Sequence, residues 1–352
     1  MDFVRSLEPF VPEIILACAA LSLVLYLVLD GFDLGVGVLS LFERDGEKRE
    51  EMMESIATVW DGNESWLVML GAVLFAGFPV AFGVVLPALY IPLFLMLVFL
   101  TFRGIAFEFA AQHGEHSRLW SLSFSLGSLG TAFTQGVALG AVLEGFAYSG
   151  GDFVGGTFDF LSPLSLSMGL FVTAMYTLSG AGWLVYKSRG DLLASVRRKG
   201  RLVVPACLAL GALSVGLAFA YSPAAEGFLA GGLTAQAALV VGAFALAALA
   251  VVGAFFALAG PDNSVSLWLA SAGIVCMAAG FLALVYPYVV LPGITTAEAA
   301  APTSAAWLLL VAIVPLIPIT IAYNAVAYYL FRGKTHAGEV GHGGSATNET
   351  GG

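Results

Sequence analysis

About nine stretches of this chain stay apolar for some twenty residues or more, and that pattern limits the fold more than any motif does. A helix needs about 20 predominantly apolar residues to cross the hydrocarbon core of a bilayer. The stretches are 12–41, 55–77, 82–102, 117–143, 162–186, 202–221, 232–259, 264–286 and 303–331. With 59% apolar and 11% charged residues and a mean hydropathy of +0.92, the composition lies well outside the soluble range. The expected fold is all-α, a polytopic membrane helix bundle with about nine transmembrane helices in one domain over 1–334. A disordered cytoplasmic tail, rich in Gly, Ser, Thr and Glu, is expected over 335–352.

Basic residues orient the bundle. Arg44, Lys48 and Arg49 follow the first stretch, and Arg103 and Arg118 bracket the loop expected after the third. A basic loop from Lys187 to Arg201 follows the fifth, and Arg332 and Lys334 follow the ninth. All fall on one side, whereas the other carries Glu144, Asp152, Asp159, Glu226 and Glu298, with Arg5 as its lone cation. The positive-inside rule then puts the N-terminus outside and the C-terminus in the cytoplasm. Met1 to Glu8 holds one Arg against two acids, and the apolar run continues past Ala17-Cys18-Ala19-Ala20, so the first helix is expected to be an uncleaved anchor.

Against this background two acidic motifs stand out. They are Leu29-Asp30-Gly31-Phe32-Asp33-Leu34-Gly35 and Trp60-Asp61-Gly62-Asn63-Glu64-Ser65-Trp66. An acid at the centre of a membrane helix costs roughly 2.5–3.5 kcal/mol on insertion scales, so such residues mark ion or proton pathways. The i to i+3 spacing puts Asp30 near Asp33, and Asp61 near Glu64, on common helical faces. Two poorly solvated carboxylates so close cannot both ionise cheaply, and each pair is expected to bind and release a proton as a unit. All four lie toward the cytoplasmic side. Helix capping is the competing reading for Asp61, and an interfacial belt or simple packing is the one for Trp60 and Trp66. Glu108 is expected in a surface ion pair with Arg103.

Other features are bland. Net charge of −10 and a pI near 4.8 argue against nucleic acid as a partner. Cys18, Cys207 and Cys276 are isolated in apolar helices and have no metal spacing. Gly31-xxx-Gly35 and Gly136-xxx-Gly140 suit close helix packing. The four histidines, His113, His116, His336 and His342, fall in expected loops or the tail, so no membrane helix offers an imidazole to a haem. No metal site and no cofactor held by this chain alone is expected.

The two acidic motifs, taken with Leu74-Phe75-Ala76-Gly77-Phe78-Pro79, Phe102-Arg103-Gly104-Ile105-Ala106-Phe107-Glu108-Phe109, Tyr286-Pro287-Tyr288 and Phe331-Arg332-Gly333-Lys334, resemble subunit II of the cytochrome bd-type quinol oxidases over residues 13–334. The resemblance implies a heterodimer with a haem-bearing subunit I, carrying haems b and d or b only. It implies oxidation of quinol, reduction of oxygen to water, and residence in a prokaryotic inner membrane among lipid. Small single-helix accessory subunits and a structural quinone belong to the same expectation. On this resemblance Asp30 and Asp61 lie on a proton route and Trp66 borders an oxygen path or packs between subunits. Asp33 and Glu64 join the route on the physical argument alone. Thr58-Val59 departs from the Pro that members often carry there, and Glu64 with the ending Phe331–Lys334 leans toward the branch called cyanide-insensitive. A proton-coupled transporter and a purely structural scaffold are the alternatives.

Overall fold

The computed structural model describes residues 7–110, 117–230 and 234–334. The expected tail over 335–352 and all four histidines therefore lie outside the described residues. After one 3-10 turn, helix α1 runs over Val11–Ser40, and α2, Gly46–Glu54, is a short polar helix capped by the Asp45 side chain. Next come α3, Trp60–Gly77, α4, Pro79–Ala88, α5, Tyr90–Ala110, α6, Ser117–Glu144, and α7, Pro163–Lys187. The chain continues through α8, Gly190–Tyr221, α9, Pro223–Ala230, α10, Ala235–Ala257, and α11, Val265–Val285. A single turn, α12, Thr296–Ala299, precedes α13, Thr303–Leu330. Two small antiparallel hairpins fill the loops, β1 with β2 and β3 with β4, spanning 148–153 and 288–295. Gly150 and Gly151 turn the first hairpin at φ values of +64° and +89°, a conformation open to glycine and costly for other residues.

Among the described residues, eight helices are long and apolar enough to cross a membrane. The expected second span, α3, has 18 residues, but its acid-bearing first turn lowers its hydropathy. It nonetheless packs inside the bundle against α1 and α13. Contacts between loops sort the chain into two ends. At one end Glu43 meets Ser195 and Lys199, Arg197 and Lys334 meet Asp262, and Lys187 holds the Phe331 carbonyl. At the other, the Ala301 N–H reaches Gly77 and the Phe146 N–H reaches Leu291. This alternation is what nine crossings, α3 included, produce. The chain is a multi-pass membrane protein.

Three expected boundaries change. The third span, 82–102, is broken into α4 and α5 at Leu89, between Pro87 and Pro92, which each remove a helical N–H. The basic segment 187–201, expected as a loop, is helical from Gly190, so Arg197, Arg198, Lys199 and Arg201 ride on the first turns of a 32-residue helix, while Lys187 ends α7 and Arg189 stands at the N-cap. Residues 55–59 form turns, and the second span begins only at Trp60.

Glycines decide the packing around α1. A Cβ on Gly35 would stand 1.7 Å from the Tyr176 carbonyl oxygen, so α1 and α7 touch backbone to backbone there. Gly136 and Gly140 do the same for α6 against α7, at Met168 and Ser165. Cys18 and Cys207 are buried packing residues, and all three cysteines are free.

Candidate functional site

Helix α1 is about 45 Å long at 1.5 Å per residue, so Asp30 sits well inside the bundle, some three turns before its end. Both Asp30 and Asp33 are completely buried. Their partner is Arg103, which is 1% exposed and lies within α5. Its Nη1 stands 2.7 Å from Asp30 Oδ1 and its Nη2 3.8 Å from Asp33 Oδ2. This corrects the sequence expectation for Arg103, which is neither in a loop nor on the surface. Helix α5 continues past it to Ala110, and Gly127 of α6 clears space for it, since a Cβ there would press on the Phe99 carbonyl and the Arg103 backbone. The Glu108 side chain lies outside the described residues.

The cluster is closed by aromatic and amide groups. Trp60 stacks on Phe107 at 4.8 Å and faces the guanidinium at 5.9 Å, a cation–π contact in a desolvated setting. Asn63, 1% exposed, donates from Nδ2 to Asp33 Oδ2 at 2.7 Å and to the Leu29 carbonyl at 3.3 Å. The Tyr328 hydroxyl of α13 donates to Asn63 Oδ1 at 2.7 Å. Tyr26 and Tyr176 are buried nearby, the latter donating to Gln135 Oε1 at 2.9 Å. Asp30 Oδ2 and Asp33 Oδ1 find no hydrogen-bond partner among the described residues.

The four expected acids therefore separate. Asp30 and Asp33 share one guanidinium, and Glu64, half-buried, lies within electrostatic reach of Asp30 and Arg103. Asp61 points outward on the opposite face of α3. Nor does it cap that helix, whose N-cap is Val59 without a side-chain hydrogen bond. Trp66 is fully buried in an apolar cluster with Tyr26, Met69 and Val73 and belongs to the interior, away from any interfacial belt.

Arg103, Asn63 and Tyr328 were not legible as site residues. A signal existed for two of them. Arg103 has apolar neighbours on both sides, and Asn63 falls on the buried stripe Asn63, Trp66, Met69, Val73 and Gly77, to which Asp61 does not belong.

Two carboxylates facing one guanidinium leave one unit of negative charge in a site closed to water, and one proton neutralises it. Such a cluster can hold and release a proton. Among the described residues no group of three or more His, Cys, Asp or Glu is arranged to hold a metal ion.

Comparison with known proteins identifies the family of the chain. Over 201 residues the chain is 31% identical to cytochrome bd-I ubiquinol oxidase subunit 2 of Escherichia coli strain K12, covering 54% of this chain and 53% of that one. It is 30% identical over 197 residues to cytochrome bd ubiquinol oxidase subunit 2 of Bacillus subtilis strain 168, covering 54% and 58%. The chain thus spans about half the length of the curated relatives it matches. In fold it is similar to a chain of the bd oxidase structure from Geobacillus thermodenitrificans, with a TM-score of 0.73, 20% identity, and coverage of 91% of this chain and 98% of that one. The profile of the cytochrome bd terminal oxidase subunit II family matches residues 11–331, and the chain belongs to that family.

Proposed function

We propose that this chain is the second subunit of a bd-type terminal oxidase, one integral membrane domain over 1–334 that packs against a haem-bearing subunit I. The complex oxidises quinol and reduces oxygen to water in a prokaryotic inner membrane, with the N-terminus outside. Haem supplies the redox chemistry from the partner. The role of this chain is to take protons from the cytoplasmic side, through Asp30 and Asp33, with Glu64 beside them and Asp61 on the outward face where a partner can meet it. Trp66 serves packing next to that route.

The observation that carries this reading is the fully buried group of two aspartates and one arginine. A cluster with excess negative charge is expensive to keep in a membrane interior, and its presence there fits a proton-carrying use. A pure scaffold would be better served by apolar packing in the same volume.

The test uses the assembled complex, expressed from this chain with its neighbouring genes. Co-purification of a haem-bearing subunit with quinol-driven oxygen consumption is the expected result. Asp30→Asn should then lower oxygen consumption and proton uptake together by about a hundredfold or more, the low end of what a positioned proton-transfer group contributes. Undiminished turnover in Asp30→Asn and Asp33→Asn would overturn the proton role. A chain that purifies alone despite an intact partner gene would overturn the assignment to a complex.

A further inference from the structure

Asp33 is held from two sides, by Arg103 at 3.8 Å and by Asn63 at 2.7 Å. The orientation of the Asn63 amide is dictated by its neighbours. The Leu29 carbonyl and the Asp33 carboxylate oxygen both accept, so Nδ2 must face them, and Oδ1 is left to face the Tyr328 hydroxyl as acceptor. Without the Tyr328 hydroxyl, Oδ1 would be buried with no donor, and the amide would lose one of the three hydrogen bonds that fix its rotation.

Tyr328 is itself held firmly. Its ring lies 6.3 Å from Phe32 and 6.1 Å from Trp183, which stack on each other at 4.5 Å. The end of α13 is clasped to the end of α7. There Lys187 Nζ donates to the carbonyls of Phe331 and Gly333, Tyr186 to that of Arg332, and Lys334 to that of Ser188. The clasp fixes the height of α13 and, through it, the position of the phenol.

We propose that Asn63 and Tyr328 are positioning residues for the proton-carrying cluster: Asn63 engages Oδ2 of Asp33 and presents Oδ1 as the oxygen that takes the proton, and Tyr328 acts through Asn63. The inference rests on the proton role assigned to the cluster above. It gives a task to the amide inside the second acidic motif and ties the cluster to a residue some 265 positions away in sequence. The charged and titratable groups facing Asp33 are Asp30 on its own helix, Arg103 from α5, Glu64 from α3 and Tyr328 from α13, and a pH profile reports on this whole set.

The experiment compares Tyr328→Phe, Asn63→Leu and the double variant in the assembled complex. Tyr328→Phe keeps the ring and its aromatic contacts and removes only the hydroxyl. It should lower the maximal rate of quinol-driven oxygen consumption about three- to tenfold, the rate equivalent of one net hydrogen bond. KM for quinol and the haem spectrum should be unchanged, and the pH–rate profile displaced. Asn63→Leu should cost at least as much, and the double variant no more than Asn63→Leu alone, because Tyr328 acts only through Asn63. A wild-type rate and pH profile in Tyr328→Phe, or additive losses in the double variant, would overturn the proposal. Asp30→Asn measured alongside separates the two levels. If it retains full activity, the proton role fails; if it loses activity while Tyr328→Phe does not, only the positioning role fails.

Discussion

Replacing Arg103 by Met tests the charge balance at the heart of the bundle. The side chain is 1% exposed, and the two carboxylates it faces are fully buried. At an effective dielectric constant of about 20, the 2.7 Å and 3.8 Å contacts carry gross attractions of roughly 6 and 4 kcal/mol, most of it offset by desolvation. The net cost of removing one partner from a buried pair is the better guide, about 3–5 kcal/mol, because the remaining charges stay buried and unpaired. Asp30→Asn is different in kind. It leaves Asp33 and Arg103 as a balanced pair and should cost only about 1–3 kcal/mol for the disturbed contact. In Arg103→Met combined with Asp30→Asn, a single carboxylate remains to be neutralised. The double variant should therefore be no less stable than Arg103→Met alone, with a coupling energy above about 1 kcal/mol. Unfolding of the detergent-purified protein, followed by the fraction that remains monodisperse, measures all three. Wild-type stability in Arg103→Met, or simple additivity in the pair, would refute the view that charge balance organises this cluster.

Three further outcomes follow from the same geometry. Gly35→Ala should destabilise the bundle by about 1–3 kcal/mol or more, since its methyl would meet the Tyr176 carbonyl, whereas Gly216→Ala, with nothing within 4 Å of the added carbon, should be neutral or slightly stabilising; yields of folded protein from the two variants make the comparison. At the end of the bundle that follows α1, burial pushes the Glu43 carboxyl up, but hydrogen bonds from Lys199, Ser195 and the Asp45 N–H outweigh it and hold the group at about 2 against an ordinary 4.5. A depressed carboxyl stabilises above its ordinary value and loses that contribution as pH falls toward 2, so the stability gap between wild type and Glu43→Gln should be full near neutrality and close on acidification; equal gaps at about pH 6 and pH 3 would contradict this. Asp61→Asn, at an exposed position, should shift the stability of the chain by less than about 0.5 kcal/mol, and a large loss in thermal unfolding of the isolated chain would show that Asp61 is tied into the interior.

What the sequence discloses and what it hides divide along one physical line. Apolar runs and the placement of basic residues report on a residue's own surroundings along the chain, and from them the helical bundle, its two ends and the burial of Asp30 and Asp33 were all readable. The pairing of Arg103 with those acids was not, because a cation in an apolar stretch reads the same whether it closes a helix or neutralises a partner on another one. The expected helix end near 102 made the first reading attractive. The structure favours the second because α5 runs on to Ala110, and Gly127 lets α6 come close beside it. In the second motif, the i to i+3 spacing of Asp61 and Glu64 did not say which face turns inward, and the structure leaves Asp61 exposed and Glu64 half-buried. Trp66 settles that, since a fully buried indole at 66 brings Asn63, one turn earlier, to the same side and carries Asp61 away from it. In α3 the buried indole of Trp66, and not the acids, marks the inner face. Acids are drawn both to buried partners and to water at a helix start, whereas an indole of this size is buried only where the packing has been built around it.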